Sequence, residues 1–315
     1  MTEGGNHSFT PLGPPVDTSL PFFAYGIFKK DEIAWRRIQS EVSASTPLQL
    51  SGFSLKLRNG IAIAIPNVGG FVNGIIHHPS STRMYKEVGV TEPQSQYKWR
   101  EIVHPTFGRL NLLEGRSPDT DSTDEFYQDW HGFKDPAFRI GFPYAYHVVK
   151  KSSHELEPLV LLEDNSISWH LFFELQSGYL LMWSFLERFQ RFAFGESPAI
   201  GDGMRRVAES LEFQQCLENT RISELRVYDS RRPKSRYSMT QSGDRTKDSI
   251  NALDAWYALR SNVAHRGKDL LGDHKLVVAA NEMAEVLKDF FPRVIQGLDR
   301  EWQRTGFIAQ SEIGE

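Results

Sequence analysis

Arg260, Asn262 and His265 fall within fifteen residues of a helical pattern, in Leu253-Asp-Ala-Trp256-Tyr257-Ala-Leu-Arg260-Ser-Asn262-Val-Ala-His265-Arg-Gly267. Histidine titrates near neutral pH and so moves protons as a general acid or base. A guanidinium supplies a fixed charge and paired hydrogen bonds for a developing phosphate or oxyanion charge. Spacing alone says little: with 10 histidines in 315 residues, chance gives about 0.7 Arg-x4-His pairs. Helix geometry adds a condition. At ~100° per residue, five positions leave the two side chains ~140° apart, so they converge only if the helix ends there, as Gly267 suggests, or if two helices meet.

A second group lies in the N-terminal half. Tyr25, Gly26 and Ile27 close the apolar run Leu20-Pro-Phe-Phe-Ala-Tyr25-Gly26. Two carboxylates follow, Glu87 in Met84-Tyr-Lys-Glu87-Val-Gly89 and Glu92 in Thr91-Glu92-Pro. Between residues 221 and 247 lies the clearest basic cluster, including Arg231, Arg232 and Arg236 with Tyr237 among them. Cations beside aromatics suit single-stranded RNA, and a solvated loop explains them equally well.

These groups need elements to hold them. Residues 1–19, rich in Gly, Pro, Ser and Thr, read as a mobile tail. Phe53, Leu55 and Leu57, then Ile61, Ile63 and Ile65, alternate about Asn59-Gly60, which predicts a hairpin. Further strands are expected near 97–103, 145–149 and 159–162, with loop across 105–140. Beyond Glu163-Asp164 the apolar spacing turns helical. Helices are predicted from Asn165 or Ser166 through Phe189, and over 204–216, 250–265 and 276–295. The reading is an α+β chain: tail 1–19, a strand-rich domain 20–164 and a helical domain 165–315.

Composition bounds the function. Hydrophobic residues make up 40% and charged residues 24%, with net charge −4; neither half carries the basic excess of a general nucleic-acid binder. The longest apolar stretch, 179–194, is broken by Glu187, Arg188 and Arg191, so no membrane span is expected. The single cysteine, Cys216, excludes an intramolecular disulfide framework and a Cys-cluster zinc site. It reads as a small buried hydrophobe, in a cytoplasmic protein.

The segment 253–267 resembles the signature helix of HEPN domains, the Apea-like subgroup in particular. Phe185-Leu-Glu187-Arg-Phe resembles that family's Glu-bearing first core helix, and Arg205-Arg206-Val-Ala the helix after it. The resemblance covers about residues 170–295. It implies an all-α bundle, a homodimer, and metal-independent endoribonuclease activity without cofactor, in which the RNA 2′-hydroxyl attacks the adjacent phosphate. His265 would be general acid or base, Arg260 would stabilise the transition state, and Asn262 would orient phosphate or histidine. Glu187 would salt-bridge an arginine. The biological role commonly implied is a toxin or antiviral defence effector.

Phe23-Ala24-Tyr25-Gly26-Ile27-Phe28 resembles the first strand and loop of gamma-glutamyl cyclotransferase-like proteins, and Gly52-Phe-Ser-Leu, Gly70-Phe-Val-Asn-Gly74 and Tyr97-Lys-Trp-Arg100 follow in family order. That resemblance implies a small mixed β-barrel. It also implies a loop cradling a glutamyl group and one proton-shuttling carboxylate, for which Glu87 is preferred over Glu92. Ile27 stands where the family has serine, and Asp31 where glycine is usual. The leading expectation is therefore a dimeric ribonuclease whose N-terminal domain binds or senses a small-molecule or protein ligand. The alternatives are a cyclotransferase-like enzyme dimerised by its helices, and a non-catalytic adaptor.

Overall fold

The computed structural model describes residues 10–116, 125–161, 169–195, 200–220, 223, 225–228, 236–239, 242–266 and 275–307. The chain divides into two compact units, Met1–Asp135 with Arg191–Glu196, and Pro136–Gln190 with Ser197–Glu315. The division falls well before residue 164. The reason is that residues 145–149 and 159–161, expected in strands, lie in one helix, α3 (Phe142–Leu161), which packs on helices of the second unit.

The first unit holds β1 (Phe22–Ala24), α1 (Trp35–Ile38), β2 (Val42–Arg58), β3 (Ile61–Pro79), α2 (Arg83–Gly89), β4 (Tyr97–His104) and β5 (Gly108–Gly115). The Asn59-Gly60 hairpin forms as predicted. Both tip residues take positive φ, 50° and 81°, the turn whose twist matches paired strands. The strands run in the order β2-β3-β1-β5-β4. β1 is antiparallel to β3 and parallel to β5, and is buried along its whole length. Gly74 permits the approach of β3 to β1, since a Cβ there would lie 2.5 Å from the Ala24 carbonyl oxygen. Among the described residues β2 and β4 do not pair with each other, so the sheet is open where a barrel was expected. β5 arises within the stretch read as loop; its apolar Leu110, Leu112 and Leu113 are buried.

The core of this unit gathers Phe22, Phe23, Leu55, Ile63, Val72, Ile76, Tyr85, Leu112 and Trp130. Fully burying each such side chain contributes about 1.5–3 kcal/mol. Residues 10–19 are not the free tail expected. Leu12 is buried in the same core, its N–H lies within hydrogen-bond range of the Gly89 and Glu92 carbonyls, and Trp99 Nε1 donates to Gly13 O at 2.6 Å.

The second unit is helical: α3 (Phe142–Leu161), α4 (Trp169–Phe194, its last residues belonging to the first unit), α5 (Ile200–Glu209), α6 (Leu211–Asn219), α7 (Arg245–Arg266), α8 (Lys275–Val294) and α9 (Leu298–Arg304). The single helix expected over 204–216 is two, broken at Ser210, whose backbone is extended (φ −72°, ψ 137°). Buried aromatics hold the helices together: Phe142 packs on Phe291 at 5.1 Å and stacks on Trp302 at 5.3 Å. Tyr179 Oη donates to the Trp256 carbonyl at 2.7 Å, tying α4 to α7. The basic segment is not simply a loop, for β6 (Leu225–Tyr228) and β7 (Arg236–Met239) form a hairpin packed against α7. Cys216 is buried, which pushes its thiol up to about 11 and leaves it unreactive. Among the described residues no helix is long and apolar enough to cross a membrane.

Candidate functional site

In the first unit, the chain leaving β1 turns at Gly26, where Lys29 N–H donates to Gly26 O at 3.0 Å, and Ala34 N–H then returns to Ile27 O at 3.0 Å. Tyr25, Gly26 and Ile27 thereby line one small cavity with Ala62, Tyr97 and Glu92. Its volume is about 20 Å³, room for roughly one water. Tyr25 Oη donates to Leu113 O at 2.7 Å, which fixes that wall.

The carboxylate in this cavity is Glu92. Glu87, expected as the key carboxylate, does not line this cavity and instead meets Arg37 at 3.1 Å and Arg83 at 3.8 Å. The reason lies in α2. Glu87 stays on its half-exposed side, while the turn after Gly89 carries Glu92 inward, only 6% exposed. Five residues on, Tyr97 begins β4 and lines the same cavity. No protein hydrogen bond reaches the Glu92 carboxyl among the described residues. Burial, only partly offset by Arg37, pushes it up to about 8. A carboxyl poised near neutral pH and facing a cavity has the environment that acid–base groups require.

Gly26 itself is not demanded by the fold. A Cβ there would meet nothing within 4 Å, and its φ lies outside the left-handed region.

A cluster invisible in the sequence anchors this loop. His131 lies 2.8 Å from Glu32 through Nδ1 and 2.7 Å from Asp129 through Nε2. Lys29 donates to Asp129 at 2.7 Å, and Gly132 N–H donates to Glu32 at 2.9 Å. Imidazole donates from both nitrogens only as imidazolium, and the two carboxylates push His131 up to about 9. Lys29 and Glu32 lie about 100 residues from Asp129, His131 and Gly132, with no motif spacing to betray them.

In the second unit Arg260 lies on α7, its side chain 25% exposed, and Nη2 stands 3.7 Å from Glu187 Oε1 on α4. Trp183 Nε1 donates to the same carboxylate oxygen at 2.8 Å. Asn262 is buried, as its place ~200° around the helix from Arg260 requires, so it cannot share a phosphate with Arg260 of its own chain. His265 occupies the last turn of α7; its ring lies outside the described atoms. The helix runs unbroken from Arg260 past His265, so the ~140° offset stands. Arg231 and Arg232 lie outside the described residues. Arg236 and Tyr237 sit on β7, paired in register with Tyr228 and Val227, their side chains likewise outside.

One turn from the Arg260–Glu187 pair opens a cavity of about 590 Å³, lined by Trp183 of α4, Asp202 and Arg205 of α5, and Leu253, Asp254 and Tyr257 of α7. The sequence offered no sign of it, because its walls come from three helices. No family model matches the chain, and no curated protein or solved structure matches it either.

Proposed function

We propose that the first unit is a gamma-glutamyl cyclotransferase-like catalyst, with Glu92 as its acid–base group. The observation that carries this reading is a buried carboxyl without a protein hydrogen-bond partner among the described residues, lining one cavity with Tyr25, Gly26 and Ile27. In its ionised fraction Glu92 takes a proton from the substrate's α-amine, whose nitrogen attacks the γ-carbonyl carbon. A C–N bond forms, the γ-amide C–N bond breaks, and the same carboxyl returns the proton to the leaving amine. The products are 5-oxoproline and a free amine. Backbone groups of the Tyr25–Ile27 loop would hold the glutamyl moiety. The barrel of the family is a finer expectation that this proposal does not need. Since the cavity holds about one water, substrate entry requires the loop to open. The test is release of 5-oxoproline from gamma-glutamyl amines by the purified chain. Activity lost in Glu92→Gln and kept in Glu87→Gln supports the reading; activity lost only in Glu87→Gln ends it.

A second reading, metal-independent endoribonuclease activity of HEPN type, is favoured by the Arg260–Glu187 pair beside the large cavity. Arg260 would hold the scissile phosphate and His265 would move the proton. Their offset on one continuous helix means that Arg260 of one copy works with His265 of another, so the active form is a homodimer. A toxin or defence role, with the first unit sensing a ligand, would follow. Incubation with total RNA in EDTA tests it: cleavage leaving 2′,3′-cyclic phosphate ends, absent in Arg260→Ala and in His265→Ala, is expected. Equal cleavage by these variants refutes it.

A further inference from the structure

The cavity between α4, α5 and α7, at about 590 Å³, falls within the size range of small-ligand sites. Tyr257, half-buried, presents its ring in the wall, and Trp183, only 1% exposed, backs it from behind, with centroids 5.7 Å apart at 45°. Aromatic walls hold planar ligands by stacking. The charged groups in the wall are Asp202, which has a partner of its own, Arg205 and Asp254. Arg205 is itself engaged by Glu209 at 3.4 Å. A carboxylate in such a wall accepts N–H donors. Asp254 is exposed where it lines the cavity, and no protein hydrogen bond reaches its carboxyl among the described residues; partial desolvation raises its pKa and Arg205 lowers it.

A cation stands just outside: Arg260, 3.7 Å from Glu187. Glu187 is four residues beyond Trp183 on α4, and Arg260 three beyond Tyr257 on α7. Each step is one helical turn, ~5–6 Å, comparable with the reach from a nucleobase to its own phosphate. A cavity with an aromatic ring and a carboxylate, followed by a half-buried arginine beside Glu187, therefore fits a nucleotide with its base inward and phosphate outward. Among the four RNA bases, guanine alone sets two adjacent donors, N1–H and N2–H, on its Watson–Crick edge, and one carboxylate accepts both.

We propose that this cavity is the base-recognition pocket of the nuclease site, taking a guanine beside the scissile phosphate, with Asp254 reading its edge and Tyr257 stacking on its face. This rests on the nuclease reading for its RNA context, but its first test needs no cleavage. Binding of GMP, AMP, CMP and UMP to the full chain is measured by calorimetry. GMP is expected to bind at least ~10-fold more tightly than the others, and Asp254→Asn to remove that preference.

Gly201 lines the cavity, and a Cβ there meets nothing within 4 Å. Gly201→Phe therefore plugs it without straining the helix and is expected to abolish nucleotide binding while circular dichroism stays unchanged. Four nucleotides bound equally, or GMP affinity unmoved by both variants, overturns the proposal. Arg260-dependent cleavage without guanine preference overturns the pocket and leaves the nuclease. GMP binding lost in Asp254→Asn, in a chain that cuts no RNA, upholds the pocket and removes the nuclease.

Discussion

Replacing Glu92 by glutamine removes an ionisable carboxyl while keeping its shape, and burial of that carboxyl fixes the sign of the effect. Its pKa in the fold is about 8, against an ordinary 4.5. A raised folded-state pKa means that the fold binds the proton more tightly than the unfolded chain. The associated stability is fully present below pH 4.5 and drains away as pH rises through about 8. At about 1.4 kcal/mol per pH unit, the interval from 4.5 to 7 removes about 3 kcal/mol from the wild type. Glutamine does not titrate, so Glu92→Gln is expected to match the wild type near pH 4.5 and exceed it by about 3 kcal/mol at pH 7, in the pattern of a functional group held against stability. Because the chain has two units, one global transition does not isolate the effect. Native-state hydrogen exchange of the β1 and β3 amides reports opening of the first unit alone. A stability difference independent of pH, or a glutamine variant less stable at pH 7, would refute the burial of Glu92 and with it the acid–base reading.

Gly26→Ala is expected to fold at least as stably as wild type, gaining up to ~1 kcal/mol from the unfolded chain, while lowering 5-oxoproline release; a marked fall in melting temperature would contradict the open space at that Cβ. His131, raised to about 9 by Asp129 and Glu32, contributes stability that is complete below pH 6.5 and lost as pH rises through about 9. With its side chain 32% exposed, the effect is ~1–2 kcal/mol after screening, so His131→Gln should flatten that portion of the pH profile seen by the same exchange measurement. His77 has the opposite sign: burial lowers it to about 4, so its contribution is present above pH 6.5 and declines as pH falls toward 4, a decline that His77→Gln should remove. Arg260→Ala breaks a half-exposed pair and should cost less than ~1 kcal/mol, so any loss of RNA cleavage is read as chemistry once urea denaturation shows the fold intact.

Local signals reached far into the first unit. Alternating Phe53, Leu55 and Leu57 about Asn59-Gly60 specify the β2–β3 hairpin because period-two burial and a positive-φ turn are written within a few residues. The 3- and 4-residue steps of α4, α7 and α8 are legible for the same reason. Where burial surrounds an element, periodicity fails. Ala145 to Val149 is continuously suggestive of a strand, yet it lies within α3, where Tyr146 Oη donates to Glu285 of α8 at 2.7 Å. The candidate sites divide likewise. Tyr25-Gly26 and Arg260 were visible as residue types in context, and Glu92 was visible beside Glu87. Choosing between those carboxylates required knowing which one the turn after α2 carries inward. Burial sets a carboxyl's pKa, and burial is a property of neighbours distant in sequence. Sequence by itself thus determined the hairpin, the long helices and the candidate groups, all of which depend on residues a few positions apart. Only tertiary structure decided that Glu92 faces the cavity, that Glu32 and Lys29 reach His131 and Asp129, and that three helices enclose a pocket beside Arg260, since each joins side chains that the chain order keeps apart.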